Sequence, residues 1–184
     1  MPNLFNLPTR DVNGNLRAVV ETPAGSRVKI RFDPDVGTFE VARALVLGVA
    51  YPYDWGFFPS TRAPDGDPLD VLVYHDAPTF PGVLIPCRAI GVVLLTQHRR
   101  NGKNGKGRGR ERNDRVIAVP VDEERYTDAR SLHKRVRREI ENFFVTAVMT
   151  EHKGVRIEGW AGPKEAKAIV EQAQLTYDSG GKTR

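Results

Sequence analysis

The first two-thirds of the chain read as short apolar-rich strands, and apolar residues recur at helical spacing in the last third. Val28, Ile30 and Phe32 alternate with Lys29 and Arg31, as in a half-buried strand. Short Val- and Ile-rich stretches predict strands over Leu16–Thr22, Val28–Phe32, Phe39–Ala44, Pro68–Tyr74, Ile85–Thr96 and Val116–Val121. Turn signals such as Pro23-Ala24-Gly25 and Asp33-Pro34-Asp35 separate them. The run 87–95 is almost wholly apolar from Ala89, which predicts a strand covered on both faces. Further on, Ser131 is the expected N-cap of a helix. Leu132, Val136, Ile140, Phe143, Phe144 and Ala147 form its apolar stripe, opposite Lys134, Arg135, Arg137, Arg138, Glu139 and Glu141. Val155–Trp160 reads as a closing strand, and Pro163 as the first residue of a final helix carrying Ala166, Ile169, Val170 and Ala173. Residues 177–184 are expected to fray. Strands followed by helices predict a mainly β, α+β fold, a small barrel with a helix packed across it.

At 184 residues, the chain suits one domain with a substantial core. Its 40% hydrophobic and 28% charged residues are ordinary for a globular protein. Cys87 is the single cysteine, which rules out an intramolecular disulfide and a multi-cysteine zinc site. A reducing cytoplasm is the expected location. No apolar run reaches 18 residues, and the N-terminus lacks the order of a signal peptide, so no membrane association is expected.

Charge changes the picture more than composition does. Segment 98–115 holds eight Lys or Arg against Glu111 and Asp114, a net +6, which leaves −1 for the rest of a chain whose total is +5. With many glycines and no apolar side chain to bury, this basic insert reads as a mobile loop. It is either a solvated hairpin extension or a site for phosphate or nucleic acid. It lacks aromatic residues, which argues against base stacking.

The stretch most suggestive of chemistry is Asp65-Gly66-Asp67-Pro68-Leu69-Asp70. In an extended chain Asp65 and Asp67 share a side, and the Gly and Pro allow Asp70 to swing toward them. Convergent carboxylates repel unless neutralised, and an all-oxygen set suits Mg²⁺ or Mn²⁺ rather than zinc. The same residues also describe an Asp- and Gly-rich surface turn. Upstream, Tyr51-Pro52-Tyr53-Asp54-Trp55-Gly56-Phe57-Phe58 is either core or a source of tyrosine hydroxyls for an anion. Arg43, followed directly by an apolar run, calls for an anionic partner.

Together these residues resemble the soluble family I inorganic pyrophosphatases of the bacterial type. The motif Asp65-Gly66-Asp67-Pro68-Leu69-Asp70-Val71 matches the family signature. A frame including Val20-Glu21-Thr22-Pro23, Arg43, Tyr51-Pro52, Gly56, Gly91-Val92, Ala118-Val119-Pro120, Phe143-Phe144 and Glu158-Gly159-Trp160 extends the likeness over roughly residues 14–174. The resemblance implies an OB-like five-stranded barrel with flanking helices, and a homo-oligomer, often a hexamer. It also implies hydrolysis of pyrophosphate by a water made acidic by divalent cations, Mg²⁺ above all, with Mn²⁺ or another divalent cation as substitutes. Carried over, Asp65, Asp70 and Glu21 look like metal ligands, and Asp67 like the group that receives or orients the water's proton. Lys29 and Arg43 would hold phosphate oxygens, and Tyr51 would line the same pocket.

The departures fall at functional positions. Where the family carries acids this chain has Gln97, His98, Asn113 and Arg31. Trp55 replaces a tyrosine, Arg115 a lysine, and Ala147-Val148 a Tyr-Lys pair. Asp114 or Glu111 is the nearest substitute for the lost acid at 113. A pyrophosphatase of reduced activity is therefore expected. The alternative is a degenerate paralogue that binds phosphate, polyphosphate or nucleic acid through the acidic site and basic loop.

Overall fold

A computed structural model describes residues 3–101, 105–148 and 154–180. Its elements are β1 (Leu16–Thr22), β2 (Val28–Asp33), β3 (Thr38–Ala44), β4 (Asp54–Phe58), β5 (Leu69–Val73), β6 (Leu84–Asn101), β7 (Gly105–Arg112), β8 (Arg115–Pro120), α1 (Lys134–Ala147), β9 (Arg156–Ala161) and α2 (Pro163–Ser179). β1 pairs with β4, β4 with β5, β5 with β8 and β8 with β6, and β6 returns to β1. The five strands thus close on themselves as the OB-like barrel expected from the sequence. Only the β5–β8 pair within this ring is parallel.

Alternation along these strands makes two apolar surfaces. Ala18, Val20, Phe58, Leu69, Val71, Val73, Cys87, Val92, Val116 and Ala118 draw on all five strands and fill the inside, where Ala166, Val170 and Ala173 of α2 join them. On the outside, Trp55, Leu72, Ile90, Val93, Ile117 and Val119 pack against Ile140, Phe143, Phe144 and Ala147 of α1. This is the stripe read from the sequence. Trp160 of β9 donates its indole N–H to Glu141 Oε1 (2.6 Å) and ties the helix to the sheet. A smaller apolar group joins Phe32 and Phe39 of the β2–β3 hairpin to Val19 and Phe57 of the barrel.

Several expectations need correction. α1 begins at Lys134 and is capped by His133, whose ring accepts from Arg135 N, so Ser131 is not its N-cap. Ser131 instead closes a 3-10 turn, Ala129–Ser131, capped by Asp128. β4 escaped the sequence reading because it opens on a polar residue and is bracketed by Pro52 and Pro59. That residue, Asp54, is wholly buried and accepts from Ala24 N (2.7 Å), Thr79 Oγ1 (2.6 Å) and His75 Nε2 (3.0 Å). Burial pushes its carboxyl up, but these donors outweigh it and hold the pKa below the usual range. α2 runs on to Ser179, and the buried Tyr177 donates to Asn6 Oδ1 (2.6 Å). Fraying from 177 is thus not seen up to Gly180, and the expectation for 181–184 lies outside the described residues.

The basic segment takes the form of the hairpin extension that the sequence left open, and not of an irregular loop. Over its described residues it is a two-stranded ribbon, in which Thr96, Gln97 and His98 of β6 face Arg112, Glu111 and Arg110 of β7. Residues 102–104 of the insert lie outside the described residues. β7 and β8 follow one edge of β6 and are separated by a break at 113–114. Asn113 N still donates to Leu95 O (3.0 Å), while the Asp114 carboxylate accepts from Leu95 N (3.1 Å). Glycine is demanded at position 56, where a Cβ would lie 1.8 Å from Val19 O. Backbone meets backbone there, so neither side can yield. Gly56→Ala should cost about 3 kcal/mol or abolish folding, as read by thermal unfolding. An unchanged melting temperature would contradict this packing.

Candidate active site

The same alternation that fills the barrel places the site outside it. Leu69 and Val71 point inward, so Asp70 joins Leu72 on the outer face of β5. Arg115 joins Ile117 and Val119 on the outer face of β8 in the same way. Leu95 and Gln97 continue the outer face of β6 into a cleft whose other walls are Lys29, Arg43, Tyr51, Trp55, Phe143, Phe144, Ala147, Val148 and Val155. Lys29 and Arg43 stand opposite each other across the β2–β3 hairpin. Two like charges so placed destabilise the pair unless an anion comes between them.

The Asp70 carboxylate receives a charge-assisted hydrogen bond from Arg115 Nη1. The Arg115 guanidinium also lies over the Trp55 ring, 5.4 Å from its centroid. Glu21 is buried and accepts from Phe32 N at 2.8 Å. Burial raises its pKa from 4.5 to about 7; the Phe32 N–H and the Lys29 charge oppose the rise, and the negative charges of Asp70 and Asp67 add to it. Glu21, Lys29, Asp67 and Asp70 therefore share one electrostatic neighbourhood. Tyr51 is buried among aromatic rings, 4.6 Å from the Phe143 centroid, and burial raises its phenol pKa while Arg43 lowers it.

Asp65 and Asp67 lie on the exposed turn that leads into β5, outside the lining of the cleft. Gly66 takes φ +94° at the apex, and Asp65 Oδ1 accepts from Asp67 N (3.3 Å). The turn is anchored where Leu69 N donates to the buried Thr61 hydroxyl (2.9 Å). Of the seven predicted site residues, Lys29, Arg43, Tyr51 and Asp70 line the cleft together, Glu21 lies buried beneath them, and Asp65 and Asp67 stand at the adjoining turn.

The substituted positions find partners of their own. Arg31 pairs with Glu40 across the hairpin, Nε to Oε1 at 2.7 Å. Asp114 accepts from Leu95 N (3.1 Å) and from Arg112 Nε (3.0 Å), next to Asn113. Glu111 accepts from Gln97 Nε2 at 3.2 Å, behind the cleft wall. His98 packs on Gly154, and Arg110 donates to Thr96 O (2.8 Å) and Gly154 O (2.6 Å). Arg115, Trp55 and Gln97 were not among the predicted site residues. Arg115 and Gln97 were findable from strand parity, since Arg115 precedes Ile117 by two and Gln97 follows Leu95 by two, whereas Trp55 stands in the strand the sequence reading missed.

The family model for inorganic pyrophosphatase matches residues 18–178. The chain belongs to the inorganic pyrophosphatase family. It is 35% identical over 178 residues to the inorganic pyrophosphatase of Synechocystis, covering 95% of this chain and 99% of that one. It is 37% identical over 167 residues to that of Streptomyces coelicolor, covering 88% and 96%. The crystal structure of the Thermus thermophilus inorganic pyrophosphatase superposes with a TM-score of 0.84 at 33% identity, covering 96% and 99%. The activity is hydrolysis of inorganic pyrophosphate to two phosphates, and the alternative of a degenerate binding paralogue is not favoured. No helix among the described residues is long and apolar enough to cross a membrane.

In this pyrophosphatase Glu21 gives a direct handle on the site. Its raised pKa means the fold favours the neutral carboxyl. That stability is fully present below pH 4.5 and is lost as pH rises through about 7. Thermal unfolding across this window, in the presence of a chelator, should show the fall, and Glu21→Gln should flatten it. An identical pH profile in the variant would contradict the placement of Glu21.

Proposed function

We propose that pyrophosphate lies in this cleft with its oxygens on Lys29, Arg43 and the Tyr51 hydroxyl. The observation that carries this reading is the cross-strand pairing of Lys29 with Arg43 in a cleft shared with Asp70 and Tyr51. Asp65, Asp70 and Glu21 would hold Mg²⁺, for which Mn²⁺ or another divalent cation substitutes. The donor set is all carboxylate oxygen, which fits a hard cation. Among the described residues no three such groups converge closely enough to hold one, and Asp70 is engaged by Arg115. The donors are of the right type, but this structure does not bring them together.

When bound, such a cation supplies charge neutralisation at the phosphate oxygens and a more acidic water. The chain's own residues do the rest. Lys29 and Arg43 orient the substrate and stabilise charge that builds on its oxygens during phosphoryl transfer. Asp67, on the exposed turn, receives or orients the proton of the attacking water. The aromatic wall of Trp55, Phe143 and Phe144 keeps the back of the cleft dry, which strengthens each of these interactions. The protein is proposed to act in the cytoplasm, as a homo-oligomer with the hexamer implied by its resemblance. Leu47, almost fully exposed, is a candidate contact in that assembly.

Phosphate release from pyrophosphate should require Mg²⁺, Mn²⁺ or Co²⁺, and Asp67→Asn should lower kcat about 10²- to 10⁴-fold while the variant stays folded. Full activity in Asp67→Asn would remove Asp67 from the reaction. Release that persists in excess chelator would remove the cation.

A further inference from the structure

The basic insert takes no part in the cleft chemistry, yet its eight Lys or Arg against two acids give residues 98–115 a net +6. The backbone register of the ribbon lays this charge out in order. Thr96 stands opposite Arg112, His98 opposite Arg110 and Arg100 opposite Lys106. Cross-strand partners share a face, and alternate residues of one strand do too. Positions 98, 100, 106, 110 and 112 therefore lie on one face, and they hold one His and four Lys or Arg. Arg108 adds a further cation in the irregular step between the last two pairs. Gln97, a lining residue of the cleft, and its partner Glu111 belong to the other face. The cationic face is thus turned away from the cleft. Arg110 fastens the ribbon in place through Gly154 O (2.6 Å) and Thr96 O (2.8 Å). Arg112, though paired with Asp114, keeps a side chain that is 64% exposed. Arg100 directly opposite Lys106 is a like-charge pair, which weakens the ribbon unless an anion lies across it.

We infer that the ribbon is a binding arm for double-stranded DNA, and that it works in addition to hydrolysis in the cleft. A row of like charges along β7, eight residues or about 26 Å long, matches a linear polyanion better than a single phosphate. The insert has no aromatic residue, so the unstacked bases of a single strand find no platform there. A two-stranded ribbon fits the major groove of B-form DNA, which is about 12 Å wide. The deep and narrow major groove of duplex RNA does not admit side chains in this way. Contacts from Lys and Arg to the phosphate backbone give affinity without reading sequence. Nucleotidyl transfer along a DNA template releases pyrophosphate, so the arm holds this hydrolase beside a source of its substrate.

Fluorescence anisotropy of a short labelled DNA duplex of mixed sequence, titrated with the full-length protein, tests this. With four phosphate contacts, affinity should fall about 10²-fold between about 50 and 200 mM salt. Lys106→Gln combined with Arg108→Gln should remove about half of that salt dependence and weaken binding about tenfold or more at the lower salt. Lys134→Gln combined with Arg138→Gln removes the same charge from the basic start of α1 and should leave duplex binding unchanged. Both double variants should keep the wild-type melting temperature and rate of phosphate release. Arg100→Gln alone is the second ribbon variant, and it should lower the salt slope by about one. No binding at about 50 mM salt, unchanged affinity in the folded ribbon variants, or equal losses in the two double variants would overturn the inference. Tighter binding of a single strand, an RNA duplex or long-chain polyphosphate at matched charge would overturn the assignment of DNA as the partner.

Discussion

Strand β6 has two edges and spends both of them twice. One edge pairs first with β1 and then with β9, and the other first with β8 and then with β7. The first half of the strand closes the barrel; the second half leaves it and carries Leu95 and Gln97 out to the cleft. Because each side chain alternates across the sheet, one strand is able to serve the inside core through Val92 and the α1 face through Ile90, Val93 and Leu95. A one-residue slip in this strand would exchange the two sets and dismantle both the core and the cleft.

Much of this was legible in the sequence. Strand positions with clean alternation, such as Val28 to Phe32, declared themselves, and so did the apolar stripe from Ile140 to Ala147. The acidic motif stood out, but its residues alone left a metal site and an Asp- and Gly-rich surface turn both open. What stayed hidden depended on partners distant in sequence. The strand from Asp54 was masked because its first residue is polar, and only the convergence of Ala24, His75 and Thr79 makes that buried aspartate comfortable. The composition of the ribbon, without apolar side chains, left a mobile loop and a hairpin extension both open. Its pairing is instead inherited from β6, which extends past the barrel and offers an edge.

The site shows how a familiar frame absorbs unfamiliar residues. Arg31 is satisfied by Glu40, Gln97 by Glu111 and Asp114 by its own neighbours. None of these substitutions leaves a charge stranded, and each settles its residue locally. Arg115 is different, since its partner Asp70 belongs to the acidic motif. The balance of the cleft has moved toward cations, and its chemistry at rest is that of an anion receptor more than of a metal site.

The Asp114 carboxylate, standing in for a backbone acceptor opposite Leu95, has a consequence for how this chain tolerates change. It ends the ribbon and restarts the barrel strand with the ladder unbroken on the β6 side. Residues added or removed in pairs beyond that point lengthen or shorten the ribbon, yet leave the parity of Arg115, Ile117 and Val119 untouched. The ribbon is thus a region where length is free to vary across generations, and the cleft beside it is insulated from that drift.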